Sequence, residues 1–88
     1  LTDLVKPIGT YIVYGSDNCQ NCKVAVSILN QKNKPFIYKK FGEDYQIEEL
    51  EELLPVPNRT IPQIFNIGEG NVLEYVGILP DLIKRLKD

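Results

Sequence analysis

Tyr11-Ile12-Val13-Tyr14-Gly15-Ser16-Asp17-Asn18-Cys19-Gln20-Asn21-Cys22-Lys23 is the stretch whose reading decides the fold. Thr10 to Tyr14 is dense in β-branched and aromatic residues and apolar on both faces, the pattern of a central strand. Gly15 to Asn18 reads as a polar turn, with Asp17 or Asn18 as the cap of the helix that follows. Cys19 and Cys22 are the two cysteines of the chain. On the first turn of a helix their i, i+3 spacing puts both side chains on one face, close enough to bridge. The unpaired N–H groups and positive partial charge of a helix N-terminus favour a thiolate over a thiol. An exposed thiolate beside a second thiol can attack a disulfide and then be released by its neighbour. The expectation is a reversible redox centre.

Outward from that centre, Val24, Ala25, Ile28 and Leu29 form an apolar stripe that predicts a helix from Gln20 to about Asn33, ended by Asn33 and Pro35. Pro35 to Lys40 reads as a second strand, and a helix between two such strands argues for a parallel βαβ unit. Ile47, Leu50, Leu53 and Leu54 share one face of a second helix, whose acids Glu48, Glu49, Glu51 and Glu52 read as a solvated face. Pro62 to Ile67 and Val72 to Val76, joined by Gly68-Glu69-Gly70-Asn71, read as an antiparallel hairpin. Leu79, Leu82, Ile83 and Leu86 mark a last helix, with Pro80 in its first turn and Lys84, Arg85 and Lys87 near its C-terminus. The order is β-α-β-α-β-β-α: an α/β fold with one four-stranded mixed sheet, helices on its faces, and a single domain over residues 1–88.

The 88 residues are 43% hydrophobic, and ten Lys+Arg against twelve Asp+Glu leave a formal charge of −2. That balance lacks the basic excess of a nucleic-acid binder. No apolar run approaches the roughly 20 residues that cross a bilayer, and Leu1-Thr2-Asp3-Leu4 does not read as a signal peptide. Two cysteines are too few for a secreted disulfide scaffold. A cytoplasmic monomer with no nucleic-acid or membrane partner is expected.

A C-x-x-C at the strand-to-helix junction of a βαβ unit reads as a thioredoxin-like redox motif. Thr60-Ile61-Pro62-Gln63-Ile64-Phe65 also resembles the T-V-P-Q-[IV]-F segment of glutaredoxins. The resemblance runs from Tyr11 to Leu86 and implies the thioredoxin-like, glutaredoxin-type three-layer fold. It implies a cis Ile61–Pro62 bond beside the cysteines. Proline lacks an N–H, so the sheet ladder is interrupted there and the Ile61 backbone can pair with an extended substrate peptide.

The C-terminal stretch Gly77-Ile78-Leu79-Pro80-Asp81-Leu82-Ile83-Lys84-Arg85-Leu86 divides the superfamily. Glutaredoxins carry Gly-Gly before the last helix, then N–H groups and an acid that hold the γ-glutamyl end of glutathione. Gly77 matches the first glycine and Asp81 the acid, while Ile78 replaces the second glycine and Pro80 has no N–H to offer. The stretch is more similar to the S-G-F-R-P-D-[ML]-I-x-R-L ending of NrdH-type redoxins, which thioredoxin reductase reduces and which supply electrons to ribonucleotide reductase. Asp17-Asn18-Cys19-Gln20-Asn21-Cys22 likewise sits closer to their D-C-V-Q-C than to C-P-Y-C. Ile78 and Leu79 stand where that pattern has its aromatic and arginine, and Val76 replaces its small residue, so the chain is a hybrid of the two groups.

The resemblance and the chemistry imply a thiol–disulfide oxidoreductase. Cys19 attacks and Cys22 resolves, and Thr60, Ile61, Pro62, Gly77 and Asp81 bind substrate or glutathione. No tightly bound cofactor is expected; electrons come from NADPH through thioredoxin reductase, or from glutathione. Lys23 adds to the positive field or is simply solvated, and Gln20-Asn21 lacks the proline of C-P-Y-C. No acid inside the first strand offers a counterpart to the buried carboxylate of thioredoxins. Other readings of the pair compete with this one. A zinc site wants about four N/S ligands, which one chain without histidine or further cysteines cannot supply. A metal or iron–sulfur cluster bridging two chains through Cys19 remains open, whereas a structural disulfide over so small a loop removes little unfolded-state entropy. The glycosylation pattern Asn58-Arg59-Thr60 carries no meaning in a cytosolic protein. A reading from another class is a non-catalytic docking module using the Cys19, Ile61–Pro62 and Gly77 surface. Tyr14, Tyr38 and Phe65 read as core; Tyr11, Tyr45 and Tyr75 have no assignment.

Overall fold

A computed structural model describes residues 8–55 and 61–87. Its elements follow the expected order: β1 (Tyr11–Gly15), α1 (Gln20–Gln31), β2 (Phe36–Lys40), α2 (Ile47–Leu53), β3 (Gln63–Ile67), β4 (Leu73–Gly77) and α3 (Leu79–Leu86). The strands form one mixed sheet in the order β2-β1-β3-β4. β1 runs parallel to β2, with Val13 opposite Tyr38, and antiparallel to β3, with Val13 opposite Ile64. β3 and β4 are antiparallel, with a register irregularity at Ile64/Phe65.

The alternation of a strand sorts the core into two halves. Tyr11, Val13 and Ile64 face one way and pack with Ala25 and Leu29 of α1 and Leu82 and Leu86 of α3. Ile12, Tyr14, Phe65 and Ile67 face the other way and pack with Tyr45, Leu50 and Leu54 around α2. All of β1 is buried, which is why its five residues carry no exposed polar alternate. Three layers result, with the central strand delivering its C-terminal end at Gly15.

Several local expectations are corrected. The cap of α1 is Cys19, in extended conformation, rather than Asp17 or Asn18. α1 stops at Gln31, short of Asn33, because Asn33 takes a left-handed φ of 57° and its N–H turns back to the Asn30 carbonyl. β4 starts at Leu73, since Val72 lies in the turn and is exposed. Leu53 and Ile83, placed on apolar faces by period, are 41% and 43% exposed. The inward positions are Leu50 in α2, with Leu54 at its C-cap, and Leu82 and Leu86 in α3. Tyr38 is half-buried and packs against the core cluster of Tyr11, Val13 and Leu29, whereas Tyr11 and Tyr45 are buried. Among the described residues no helix is long and apolar enough to cross a membrane.

The division between buried and exposed leucine-type positions has a measurable consequence. Leu82→Ala should lower unfolding free energy by about 2–5 kcal/mol, as for other fully buried leucines, in a denaturant titration. Ile83→Ala, one residue on and facing water, should change it by no more than about 0.5 kcal/mol.

Candidate active site

β1 ends where polar backbone emerges from the core, and groups from a distant part of the chain take up the carbonyls of Gly15 and of Ser16 just after it. The Gly15 carbonyl accepts the Phe41 N–H at 2.8 Å and the Tyr45 hydroxyl at 3.0 Å. The Ser16 carbonyl accepts the Tyr38 hydroxyl at 2.9 Å. Asp17 is tied from outside: Lys40 Nζ lies 3.0 Å from its carboxylate and 2.6 Å from that of Glu43. The side-chain bonds to Glu43 and then Asp17 push the Lys40 ammonium above the ordinary lysine range. The group is exposed, so these pairs guide the loop more than they stabilise it.

The loop delivers Cys19 to the cap position of α1. There the sulfur does what a serine or aspartate oxygen usually does: Cys19 Sγ accepts the Cys22 N–H at 3.1 Å. The same N–H stabilises a thiolate more strongly than a neutral sulfur, because charge-assisted hydrogen bonds are about twice as strong, and the helix dipole acts in the same direction. Cys19 and Cys22 form a disulfide with their Cα atoms 5.2 Å apart. Cys19 is partly exposed and Cys22 fully buried. The outer sulfur is therefore the one an incoming disulfide can reach.

Gly15 has no room for a side chain. A Cβ there would lie 2.7 Å from Cys22 Sγ and 2.7 Å from the Tyr38 hydroxyl oxygen. Two clefts open on either side of this point. One, of about 430 Å³, is lined by Ser16, Asp17, Cys22, Lys23, Val26 and Tyr38. The other, of about 270 Å³, is lined by Ser16, Phe41, Tyr45, Ile47 and Ile61. The Ile61–Pro62 peptide bond is cis; Pro62 is fully buried while Ile61 is partly exposed on the second cleft. Thr60, also expected at this site, lies outside the described residues.

Gly77 and Asp81 meet at the start of α3. Gly77 has a φ of +130°, a conformation that favours glycine, and a Cβ there would stand 2.6 Å from Asp81 Cγ. Asp81 Oδ2 accepts the Ile78 N–H at 3.0 Å and so caps the helix. Neither residue lines either cleft. The buried polar residues among those described are Thr10, Gln63 and Asn66, with no carboxylate in the set. Sequence reasoning missed the loop-holding role of Tyr38 and Tyr45. The available signal was that a phenol placed in a core needs a partner for its hydroxyl.

The glutaredoxin family model matches residues 11–70 of the chain. Among solved structures, the crystal structure of glutaredoxin 1 from Francisella tularensis complexed with cacodylate is similar at 20% sequence identity, with a TM-score of 0.65. The match covers 86% of this chain and 88% of that one and concerns the fold. No curated protein matches the chain.

The packing over Gly15 leads to a direct test. Gly15→Ala must displace either Cys22 or Tyr38, so it should destabilise the oxidised protein by about 1–3 kcal/mol, the usual range for overpacking. It should also slow disulfide reduction; thermal unfolding and turnover of a model disulfide measure the two effects.

Proposed function

The chain belongs to the glutaredoxin family and is a thiol–disulfide oxidoreductase, and from that premise we propose a two-step dithiol carrier that reduces disulfides of protein substrates. In the NrdH-like form of this reading, NADPH supplies electrons through thioredoxin reductase and ribonucleotide reductase is the recipient. The observation that carries the two-step reading is the unequal placement of the sulfurs: Cys19 is partly exposed on a helix cap, and Cys22 is buried behind it. The Cys19 thiolate attacks one sulfur of the target disulfide, whose other sulfur leaves as a thiolate. Cys22, as thiolate, then attacks Cys19 Sγ; the target's second sulfur leaves with the electron pair, and Cys19–Cys22 is oxidised. The groove bounded by Ser16, Phe41, Tyr45, Ile47 and Ile61 is where the extended target segment would lie beside Cys19.

The choice of reductant rests on the start of α3. A glutathione carboxylate needs backbone donors, and this turn has few to give: Pro80 has none, and the Ile78 N–H is taken by Asp81. That favours thioredoxin reductase. The glutathione-dependent reading keeps the acid itself, Asp81, together with the cis-proline groove. The docking-module reading uses the same surface without turnover. No resident cofactor is required, because the cysteines carry the two electrons. The proposal places the protein in the cytoplasm, acting as a monomer, where NADPH-driven reductases keep thiols reduced.

Following NADPH oxidation with a model disulfide, by thioredoxin reductase alone and by glutathione with glutathione reductase, separates these readings. Turnover is expected by the first route; turnover by the second alone would overturn the argument from Pro80 and Asp81, and turnover by neither would leave the docking module. Cys19→Ser should abolish reduction of the model disulfide by at least about 10³-fold, as expected for loss of a nucleophile. Cys22→Ser should instead trap a mixed disulfide on Cys19, visible as the added mass of half the substrate.

A further inference from the structure

We propose that Tyr38 is a positioning residue for the resolving step: its hydroxyl stands beside the Cys22 sulfur and, in the mixed disulfide, donates a hydrogen bond to the Cys22 thiolate, directly or through one water. The Cys22 Sγ and the Tyr38 oxygen both come within 2.7 Å of the same point above Gly15. Their separation is therefore at most twice that distance, within the span of a single bridging water. Both groups also line the same cleft, together with Ser16, Asp17, Lys23 and Val26.

Cys22 needs such a partner. The resolving thiol must lose a proton, and a thiol with no solvent exposure ionises reluctantly. No buried carboxylate stands among the described residues to take that proton. In the oxidised protein the Tyr38 hydroxyl donates to the Ser16 carbonyl. A hydroxyl turns about its C–O bond at little cost, so the donor can move from carbonyl to sulfur once Cys22 carries charge, and water in the cleft can take over the carbonyl.

The charges around the cleft keep Tyr38 a neutral donor. Burial first, then Asp17, push its pKa up, against a smaller opposing effect of Lys40. Lys40 is held by Asp17 and Glu43, and Lys23 stands exposed on the cleft rim. Tyr38 is thus no base. The Cys22 proton passes to water in the open cleft. The thiolate's electron pair then forms the bond to Cys19 Sγ, the Cys19–target bond breaks, and the target sulfur leaves with its pair and takes up a proton.

The inference rests on the two-step dithiol reading, and one experiment separates its failure from the failure of that reading. The reduced protein is mixed in stopped flow with dithiobis(nitrobenzoate), which releases one coloured thiolate in each step, across a range of pH. Tyr38→Phe should slow the second phase about tenfold at neutral pH and raise its pH midpoint by about one unit, with rates converging in alkali and a smaller change in the first phase. Circular dichroism and thermal unfolding of the reduced variant before mixing show whether it is folded, so a loss of fold cannot imitate the shift. Tyr45→Phe removes the equivalent bond to the Gly15 carbonyl; it should change rates through loop movement but leave the midpoint in place. An unmoved midpoint in Tyr38→Phe, or an equal shift in Tyr45→Phe, overturns the assignment. A missing second phase in the unsubstituted protein overturns the dithiol reading itself, and with it this one.

Discussion

The end of β1 is the constraint on which the rest depends. A strand buried on both faces must surface somewhere, and its last carbonyls then lie between core and water. A buried carbonyl left without a donor costs about 1–3 kcal/mol, so the fold supplies donors: the Phe41 N–H and Tyr45 hydroxyl for Gly15, the Tyr38 hydroxyl for Ser16. These donors come from β2 and from the segment before α2, so the loop's position is set by how both halves of the core assemble. The site is built into the packing of the sheet rather than appended to it. Gly15 makes the arrangement possible, because any side chain there would crowd the Cys22 sulfur.

From that fixed point the chemistry follows from helix geometry. The first N–H groups of α1 have no partner within the helix, and the Cys22 N–H finds one in Cys19 Sγ. The outer sulfur is therefore also the cap of the helix that carries the inner one. As a thiolate it receives a charge-assisted hydrogen bond, and as half of a disulfide it receives a weaker one. Helix capping and thiolate stabilisation thus act in the same direction, and both favour the reduced, reactive form of Cys19.

The sequence was legible where a short window holds the whole cause. The apolar run Tyr11–Tyr14, the C-x-x-C that follows it and the separate helical stripes sufficed for the element order and for naming Cys19 and Cys22. It was illegible where the cause lies far along the chain. Tyr38 and Tyr45 meet the active-site loop across 22 and 30 residues, and nothing near either tyrosine distinguishes it from a core aromatic. The cap was misread because oxygen-bearing Asp17 and Asn18 fit the usual preference, which does not rank a cysteine already constrained by its partner. Leu53 and Ile83 have the right period for a core face, but period gives a direction and not a depth: α2 and α3 bury only their central stripes.

The start of α3 illustrates how one carboxylate can serve two ends that compete. Asp81 sits over the space left by Gly77 and holds the Ile78 N–H, so the helix is capped from within the chain. A ligand amine approaching Asp81 would have to share that carboxylate with the cap, and a ligand carboxylate would find no N–H on Pro80. A backbone with glycine at position 78 and an ordinary residue at position 80 would relieve both conflicts. Here neither is relieved, since Ile78 and Pro80 occupy those positions. The carboxylate at the start of α3 is therefore held by the chain's own hydrogen bond from the Ile78 N–H.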